Sequence, residues 1–559
     1  MHVNWSFQLL PRDTQLPTRR ASWELIGRES SMRRFGRFGA SALTRQVRRA
    51  SSQANGRTYE DAIQALNSLQ SNFATVEAIR KSGRVLNQHA IPEMIEWLRR
   101  LGYEPSDLNR LNPIHIAGTK GKGSTSAFVS SILTQYTPQR SDSESAVVRK
   151  VGLYTSPHLR FVRERIRINN EPLSEEQFAK YFFETWYRLE AAAETRGMNP
   201  SNPESKPVYF RFLTLMAFHT YLREGVDAVV LECGIGGEYD STNIIPQPAV
   251  CGITSLGIDH VALLGSTIEE IAWHKGGIIK PNAKVFTAPQ CPGAMEVLRK
   301  RAAKKGTELV VADGHPQLQK GSSLKLGLDG DFQYANATVA VGLAGEALKK
   351  LGAKGVPDDV LKAPLPERFR RGLQETRLGG RCETRRERNI SWYIDGGHTL
   401  ESIRFAGEWF ASQLVASTWT TKPRVLIFNQ QTRDSVALAR ALYQTLSNAL
   451  GSEKPFTHAI FCTNVTYKEA GYRPDLVSSN INASDVEKLR VQTALAETWK
   501  SIDPSTEVLV KGTIEEAVEF VRSLGEQTKA GDGDTKVLVT GSLHLVGGFL
   551  DVIETKLAA

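Results

Sequence analysis

The fold of this chain is decided by residues 115–125, which read His115-Ile116-Ala117-Gly118-Thr119-Lys120-Gly121-Lys122-Gly123-Ser124-Thr125. The apolar run Ile114–Ala117 predicts a buried parallel strand, and Ser124–Leu133 predicts the helix that follows it. Glycines and lysines between a strand and a helix are typical of a phosphate cradle, because backbone N–H groups at a helix N-terminus face the anion while a lysine neutralises it. These residues therefore predict a site for a nucleoside triphosphate.

The loop departs from the common phosphate-binding pattern. Ile116 takes the position of the first glycine of that pattern, and Gly123 separates Lys122 from Ser124. Taken alone, the loop is also compatible with a glycine-rich turn that binds no ligand. Other segments of the chain therefore have to support the nucleotide site.

The composition is that of a globular protein with two or three domains. Of the 559 residues, 41% are hydrophobic and 23% are charged, and no apolar run is long enough to span a bilayer, so we expect no stable membrane insertion. The five cysteines are scattered without a Cys-x-x-Cys pair, which argues against a zinc site or a disulfide framework.

The net charge of +10 is concentrated near the N-terminus. Residues 1–57 hold 11 arginines and 3 acidic residues, whereas residues 58–559 hold 59 basic and 57 acidic residues. Because the larger part is nearly neutral and lacks a basic stripe with interleaved aromatics, we expect no nucleic-acid partner.

The N-terminal arginines predict a targeting segment over residues 1–57. The stretch from Met32 to Arg57 has seven arginines and no acidic residue, as mitochondrial presequences do. We expect a mitochondrial and cytoplasmic protein with Met32 as an alternative start. A disordered basic extension without a targeting role would have the same composition.

From residue 58 onward, helical and strand patterns alternate, which predicts two α/β domains. Residues 58–373 would form the domain that carries the nucleotide loop. Because its strand candidates are short and apolar throughout, we expect a parallel sheet with helices on both faces. Residues 374–559 would form a smaller Rossmann-like domain, with Asp358–Leu373 as the hinge. The strand candidates are Ile114–Ala117, Val151–Tyr154, Ala228–Glu232, Val250–Ser255, Lys284–Ala288 and Leu309–Ala312, then Ser391–Ile394, Val425–Phe428, Ala459–Cys462, Val508–Val510 and Val537–Val539. Helical spacing marks Tyr59–Leu69, Ile91–Leu101, Ser402–Leu414 and Ser435–Leu446, and Gly525–Thr535 is predicted as a surface loop.

Glu232 ends an apolar strand and precedes the glycine-rich turn Gly234–Gly237. Ligands of open α/β sheets bind at the carboxyl ends of the strands, so Glu232 is expected near the phosphate loop. A carboxylate there suits Mg²⁺, which prefers oxygen ligands and substrate phosphates. A strand-end glutamate paired with a lysine is the structural alternative.

Three further segments carry weaker signals. His260 follows another apolar strand, and Lys275 precedes a double glycine at the end of a helical pattern. Imidazole is an unusual Mg²⁺ ligand and a helix-end lysine is usually solvated, so the residues alone leave both roles open. Thr155–Leu159 precedes the basic run Arg160–Arg167, whose arginines either meet an anionic substrate or form a solvated face.

In the second domain, Asp395 and His398 lie at a strand-to-helix turn, downstream of Arg381. Asp395 would accept hydrogen bonds from a ribose, His398 would reach a terminal phosphate, and Arg381 would add a fixed positive charge. The alternative is an aspartate that caps a helix beside an exposed histidine.

Six ordered segments resemble the folylpolyglutamate synthases of the eukaryotic type, within the Mur ligase superfamily, and the resemblance covers most of residues 58–559. They are HIAGTKGKGST (115–125), YTSPHLRFVRERIRIN (154–169), LECGIGGEYDSTN (231–243), LGIDHVALLGSTIEEIAWHKGGI (256–278), YIDGGH (393–398) and VLVTGSLHLVGG (537–548). The resemblance implies an α/β fold with a Mur-ligase-like P-loop ATPase domain and a smaller Rossmann-like C-terminal domain.

The resemblance also implies a role for each matching residue. The ATP-binding residues would be Gly118, Thr119, Gly121, Lys122, Gly123, Ser124, Arg381 and Asp395. The Mg²⁺ ligands would be Ser156, Glu232 and His260. The catalytic residues would be Lys122, Lys275 and His398, and Lys275 matches a lysine that is carbamylated in relatives. A monovalent cation such as K⁺ is a further expected cofactor.

The activity that the resemblance implies is ATP-dependent addition of L-glutamate to the γ-carboxylate of reduced folates, by a monomer. Dihydrofolate synthase, which adds the first glutamate to dihydropteroate, shares the loop, the metal ligands and the fold, so it stays an alternative. A nucleotide-binding module without catalysis is the alternative from another class.

Overall fold

A computed structural model describes residues 56–70, 89–138, 147–415, 423–431, 433–477, 486, 488–527 and 534–555. These residues all fall within one unit of the fold. The predicted targeting segment lies outside the described residues except for Gly56 and Arg57. None of the helices in the described ranges is long and apolar enough to cross a bilayer.

The larger sheet is built on eight strands. They are β1 Pro113–Ala117, β2 Val151–Tyr154, β3 Ile166–Ile168, β4 Glu171–Pro172, β5 Ala228–Glu232, β6 Val250–Ile253, β7 Val285–Thr287 and β8 Leu309–Val311. The spatial order is β4-β3-β2-β5-β1-β6-β7-β8. Strand β1 is buried along its whole length between the parallel strands β5 and β6, so the apolar run before the phosphate loop is the centre of the sheet.

One edge of this sheet differs from the predicted all-parallel arrangement. Strands β2, β3 and β4 pair antiparallel in succession. Asn169 and Asn170 join β3 to β4 and both have positive φ, which asparagine tolerates better than most residues and which two-residue hairpins require. The charged residues of this hairpin concealed it from a search for apolar runs.

Helices cover both faces of the larger sheet, as predicted. They are α1 Tyr59–Asn67, α2 Ala90–Arg100, α3 Lys122–Thr134, α4 Glu175–Thr195, α5 Tyr209–Glu224, α6 Val261–Leu264, α7 Ile268–Lys275, α8 Pro292–Lys305, α9 Phe332–Lys350 and α10 Glu367–Glu375. One core joins α3, α9 and α10 to the sheet, and an aromatic-rich core joins α1, α2, α4 and α5 to its other face. Helix α3 therefore holds the phosphate loop by burial rather than by local propensity alone.

Part of the predicted hinge is packed into the first domain. Phe369 and Leu373 of α10 are buried in the core that contains α3. A Cβ added at Gly372 would lie 2.6 Å from Ile132 Cα, so the two helices meet at their backbones. The predicted domain boundary after residue 373 falls inside this helix and stays a prediction.

The second sheet has six strands. They are β9 Glu383–Glu387, β10 Ile390–Ile394, β11 Arg424–Phe428, β12 His458–Cys462, β13 Glu507–Lys511 and β14 Thr535–Thr540, in the order β13-β12-β11-β14-β10-β9. All neighbours are parallel except the edge strand β9, which pairs antiparallel with β10. The helices are α11 Leu400–Val415, α12 Ser435–Leu450, α13 Arg490–Ile502, α14 Ile514–Gln527 and α15 Leu543–Thr555. Of the predicted loop Gly525–Thr535, residues 525–527 are the last turn of α14, Thr535 begins β14, and residues 528–533 lie outside the described residues.

Candidate active site

A cavity of about 810 Å³ lies where the two domains face each other, at the carboxyl ends of strands of both sheets. Most of the residues proposed from sequence line it. They are Thr119, Gly121, Lys122, Gly123, Ser124, Ser156, Glu232, His260, Arg381, Asp395 and His398. Gly118 and Lys275 do not line this cavity but touch each other directly beneath the loop, where Lys275 Nζ donates to the Gly118 carbonyl oxygen at 2.8 Å.

The phosphate loop is shaped by close backbone approach. Gly121 caps α3 with φ +82°, and a Cβ there would lie 2.1 Å from Asn336 Oδ1. A Cβ at Gly118 would lie 1.8 Å from Thr254 Oγ1. Both positions therefore require glycine, and the loop is held against α9 on one side and the end of β6 on the other.

Two lysines converge on the first turn of this loop. Lys122 Nζ donates to the Gly118 carbonyl oxygen at 3.1 Å, as Lys275 does from α7. Burial lowers the pKa of Lys275 to about 7, and the neighbouring Lys122 charge acts in the same direction. A lysine at the end of a helix is usually solvated and charged. Lys275 is instead buried, and its amine is partly neutral at neutral pH.

The arrangement around Glu232 fits a Mg²⁺ ion. Glu232 Oε2 accepts a hydrogen bond from the Ser156 N–H at 3.0 Å, and a Cβ at Gly123 would lie 3.7 Å from the same oxygen. Burial raises the pKa of this carboxyl, whereas the charge of Lys122 opposes the rise. The described residues offer no cluster of three His, Cys, Asp or Glu side chains, so a cation here would share its coordination with the Ser156 hydroxyl, phosphate oxygens and water.

His260 lies at the mouth of the same cavity. Its backbone is left-handed, with φ +51°, and its N–H is bonded to the Asp259 carboxylate at 2.9 Å. Asp259 also pairs with Arg433 of the second domain at 3.1 Å and with Lys120 of the phosphate loop at 3.8 Å. The segment that presents His260 is thus fixed by contacts to both domains.

In the second domain, Asp395 holds two turns together. Its carboxylate accepts hydrogen bonds from the N–H groups of Cys382 at 3.0 Å and Gly397 at 2.8 Å. Burial raises its pKa, and Arg381 opposes this. The carboxylate therefore positions the turn that follows β10, and any bond to a ribose would be added to these two.

His398 is neutral at physiological pH, because burial lowers its pKa to about 4. Its Nδ1 lies 3.0 Å from the Gly396 carbonyl oxygen, which can only accept, so Nδ1 carries the proton. The other ring nitrogen, Nε2, is then an acceptor. The contact of His398 with a terminal phosphate stays a prediction, since an anion beside the ring would favour its protonated form.

The arginines of the run Arg160–Arg167 have different partners. Only Arg165 lines the cavity. Arg160 pairs with Asp551 and Glu554 of α15, and Arg163 and Arg167 donate to backbone carbonyl oxygens. Of the arginines in this run, Arg165 is therefore the candidate for contact with an anionic substrate in the cavity.

Sequence reasoning missed several residues that shape the site. Asp240 accepts hydrogen bonds from Gly234 and Ile235 and so fixes the turn after Glu232. Asn336 and Gln333 of α9 pack behind the phosphate loop, where Gln333 Nε2 donates to Ser124 Oγ at 3.3 Å. An aspartate three residues after the glycine-rich turn was a readable signal, but α9 carries no local motif that marks it.

The fold and the cavity define a two-domain, nucleotide-binding protein with the Mur ligase architecture. No protein-family model matches the chain. Curated folylpolyglutamate synthases from Neurospora crassa and Saccharomyces cerevisiae are each 47% identical to it, over 502 and 506 residues. These matches cover 90% of this chain and 92% of the Neurospora protein, and 89% of this chain and 87% of the yeast protein.

Solved structures agree with this fold. A Mycobacterium tuberculosis folylpolyglutamate synthase complexed with ADP and AMPPCP matches 85% of this chain and 97% of its own, with a TM-score of 0.60 and 24% identity. An FPGS–AMPPCP–folate complex matches 88% of this chain and 100% of its own, with a TM-score of 0.58 and 23% identity. On the sequence relationship to the fungal proteins, this chain belongs to the folylpolyglutamate synthase family.

Proposed function

We propose that this chain is an ATP-dependent ligase that adds L-glutamate to the γ-carboxylate of reduced folates and their polyglutamates, releasing ADP and phosphate. The observation that carries the proposal is the assembly of all six family-like segments around one cavity between the domains, with the phosphate loop on one wall and Arg381, Asp395 and His398 on the other. The segment 537–548 contributes Leu543 to this cavity.

The chemistry explains why ATP is needed. A carboxylate is a poor acyl donor to an amine because it would have to release an oxide. Transfer of the γ-phosphoryl group to the folate γ-carboxylate releases ADP and gives an acyl phosphate. The neutral amine of glutamate then attacks the acyl carbon, an amide bond forms, phosphate leaves, and the amine loses one proton.

The first domain supplies the charge for this transfer. Lys122 follows the loop whose N–H groups face the phosphates, so it would offset charge that develops on the transferred group. Ser156, Glu232 and His260 would hold Mg²⁺. When bound, Mg²⁺ would neutralise the phosphate oxygens and orient the transfer.

Lys275 would be modified by CO₂. Carbamylation requires the neutral amine as nucleophile, and a pKa of about 7 keeps much of this lysine neutral at physiological pH. Attack of the neutral amine on CO₂ forms an N–C bond, releases one proton and converts the amine beside Gly118 into a carbamate, which ends in a carboxylate. That carboxylate would lie next to the phosphate loop and add a negative group near the metal ligands.

Closure of the two domains would bring nucleotide and second-domain residues together. Lys120 Nζ donates to Thr399 Oγ1 at 2.8 Å, and Arg433 pairs with Asp259 at 3.1 Å. Both contacts join the first domain to the second and support a closed arrangement in which Arg381 and His398 would face nucleotide held on the first domain.

Localisation is proposed from the N-terminal composition. The arginine-rich residues 1–57 would direct one form to mitochondria. Initiation at Met32 would give a second form whose N-terminal segment is only residues 32–57. Reporter fusions of residues 1–57 and 32–57 test this, and a purely cytosolic signal from both would contradict it. A K⁺ requirement and a monomeric state stay predictions.

The activity is tested with the full chain, ATP, Mg²⁺ and labelled L-glutamate, with tetrahydrofolate and dihydropteroate as parallel acceptors. A ladder of product masses on tetrahydrofolate is the expected result. A single addition confined to dihydropteroate would identify a dihydrofolate synthase instead. No product with either acceptor would leave a nucleotide-binding protein without this activity.

A further inference from the structure

Arg165 is a buried cation on the wall of the cavity. It is 8% exposed, and its Nε donates to His158 Nδ1 at 2.9 Å. Its guanidinium lies over the Tyr209 ring, 5.6 Å from the ring centroid. Within the described residues, no carboxylate comes within ion-pair distance of it, although other arginines of the same run are paired.

Among the described residues Arg165 has no carboxylate counter-ion, and this feature indicates what the cavity binds. A buried charge is costly unless it is paired and hydrogen-bonded, and a bound anion would pair with Arg165. Burial raises the pKa of Glu232 and the charge of Arg165 partly offsets that rise, but the two side chains form no ion pair. Glu232 is also committed to the Ser156 N–H. An anionic ligand in the cavity would supply the partner that the described residues do not.

The position of Arg165 narrows the ligand chemistry. Ser156, Phe210 and Glu232 line the cavity with it. Because Nε is occupied by His158, the two terminal nitrogens are available for one planar anion. Both co-substrates of the proposed ligase carry an α-carboxylate that does not react.

We propose that Arg165 binds the α-carboxylate of an amino-acid substrate, that is, of the folate glutamyl end or of the incoming L-glutamate, and thereby positions the reacting group. This inference rests on the proposed ligase function. In both substrates the α-carboxylate is attached to a carbon that also carries an amide or amine nitrogen. Substrate analogues that lack this carboxylate distinguish the folate from L-glutamate.

His158 is the positioning residue for this arginine. Since Nδ1 accepts from Arg165, Nε2 carries the ring proton and donates to the Asp475 carbonyl oxygen at 2.8 Å. Asp475 belongs to the second domain and also accepts from the Val162 N–H at 2.8 Å. The orientation of the Arg165 guanidinium thus depends on the contact between the two domains.

The test compares Arg165→Gln with Arg163→Gln in the full chain. Both remove one charge from the same segment, but Arg163 does not line the cavity. For Arg165→Gln we expect KM for either the folate or L-glutamate to rise about 10- to 100-fold, the range for a lost charge-assisted contact, with KM for ATP nearly unchanged. Arg163→Gln should leave all three values close to wild type.

Substrates without the α-carboxylate identify the source. One arm replaces L-glutamate with 4-aminobutyrate, and the other uses a pteroyl acceptor that ends in 4-aminobutyrate instead of glutamate. In both arms the wild-type chain should prefer the natural substrate to the analogue that lacks the α-carboxylate. In Arg165→Gln this preference should disappear in one arm only, and that arm identifies the substrate whose α-carboxylate Arg165 binds. Preserved preference in both arms, or a rise confined to the KM of ATP, would overturn the inference.

His158→Gln tests the positioning role. It should reproduce the KM pattern of Arg165→Gln, and the double variant should show no further loss, whereas a purely structural defect would lower thermal stability and all three affinities together. If the wild-type chain makes no product, the proposed function fails. If it does and Arg165→Gln behaves as wild type, only this inference fails.

Discussion

Lys122 and Lys275 donate hydrogen bonds to the same acceptor, the Gly118 carbonyl oxygen, at 3.1 and 2.8 Å. One lysine is the first residue of α3 and the other is the last residue of α7, so two helices place positive charge at a single point under the phosphate loop. Two cations this close repel each other, and the pair is stable only if one loses its charge or a ligand supplies anions.

Replacement of Lys122 by glutamine should lower kcat about 100- to 1,000-fold, since it removes a cation from charge that develops in the transition state. Lys120→Gln is the matched control, because Lys120 bonds to Thr399 and pairs with Asp259 instead of reaching back to Gly118. Steady-state kinetics should show a mainly kcat effect for Lys122 and a smaller, KM-weighted effect for Lys120. Equal losses in both variants would contradict this.

Carbamylation of Lys275 should depend on pH. The pKa of its amine is about 7, so the neutral nucleophile becomes the major form as the pH rises through that value. With ¹³C-bicarbonate we expect a carbamate NMR signal that grows between about pH 6 and pH 9, together with bicarbonate-stimulated activity. Lys275→Gln should show neither, and a signal that persists in this variant would place the carbamate elsewhere.

Much of the fold could be predicted because its inner strands are buried on both faces. Continuous apolar runs such as Val151–Tyr154 and Val425–Phe428 stand out from the helical patterns around them. The antiparallel strands β3, β4 and β9 were missed for the opposite reason. Strand β9, Glu383–Glu387, has four charged residues and alternates between exposed and half-buried positions, so no apolar run marks it.

The site was predictable only where a residue sits in a local motif. Glu232 and Asp395 follow apolar strands, and strand ends meet at the ligand edge of a sheet. Arg433 and Asn336 reach the cavity from distant segments without such a pattern, so their contacts depend on tertiary packing. The neutral state of His398 likewise follows from burial, which a sequence does not report.

The buried His115 should make the protein acid-sensitive. It is fully buried on β1, its Nε2 lies 2.8 Å from Thr242 Oγ1, and its Nδ1 has no partner. Burial lowers its pKa from 6.5 to about 3, so the unfolded state binds the proton first as the pH falls from 6.5 to 3, and stability is lost over that window.

His115→Gln removes this titration and should shift the acid-unfolding midpoint to lower pH, measured by circular dichroism. The same change at the exposed His89 serves as the control and should leave the midpoint in place. An unchanged midpoint for His115→Gln would mean that other buried groups govern acid unfolding.

The contact between the domains should be most sensitive at Gly547. A Cβ added there would lie 1.9 Å from the Leu159 carbonyl oxygen, so α15 meets the segment that carries Ser156 and His158 backbone to backbone. Because a backbone cannot rotate away as a side chain can, Gly547→Ala should cost about 1–3 kcal/mol of stability and displace that segment. We therefore expect a lower melting temperature together with a raised KM for the substrates.

Gly548→Ala is the matched control on the next residue of the same helix. Its added Cβ would meet Ile514 Cδ1 at 2.5 Å, the far end of a flexible side chain that has other rotamers available. The control should thus lose less stability and keep its substrate affinities. Calorimetry with and without an ATP analogue separates the two effects, since displacement of the Ser156 segment should also weaken ligand-induced stabilisation in Gly547→Ala. Equal behaviour of the two variants would show that helix packing alone, and not contact with the Leu159 segment, limits this interface.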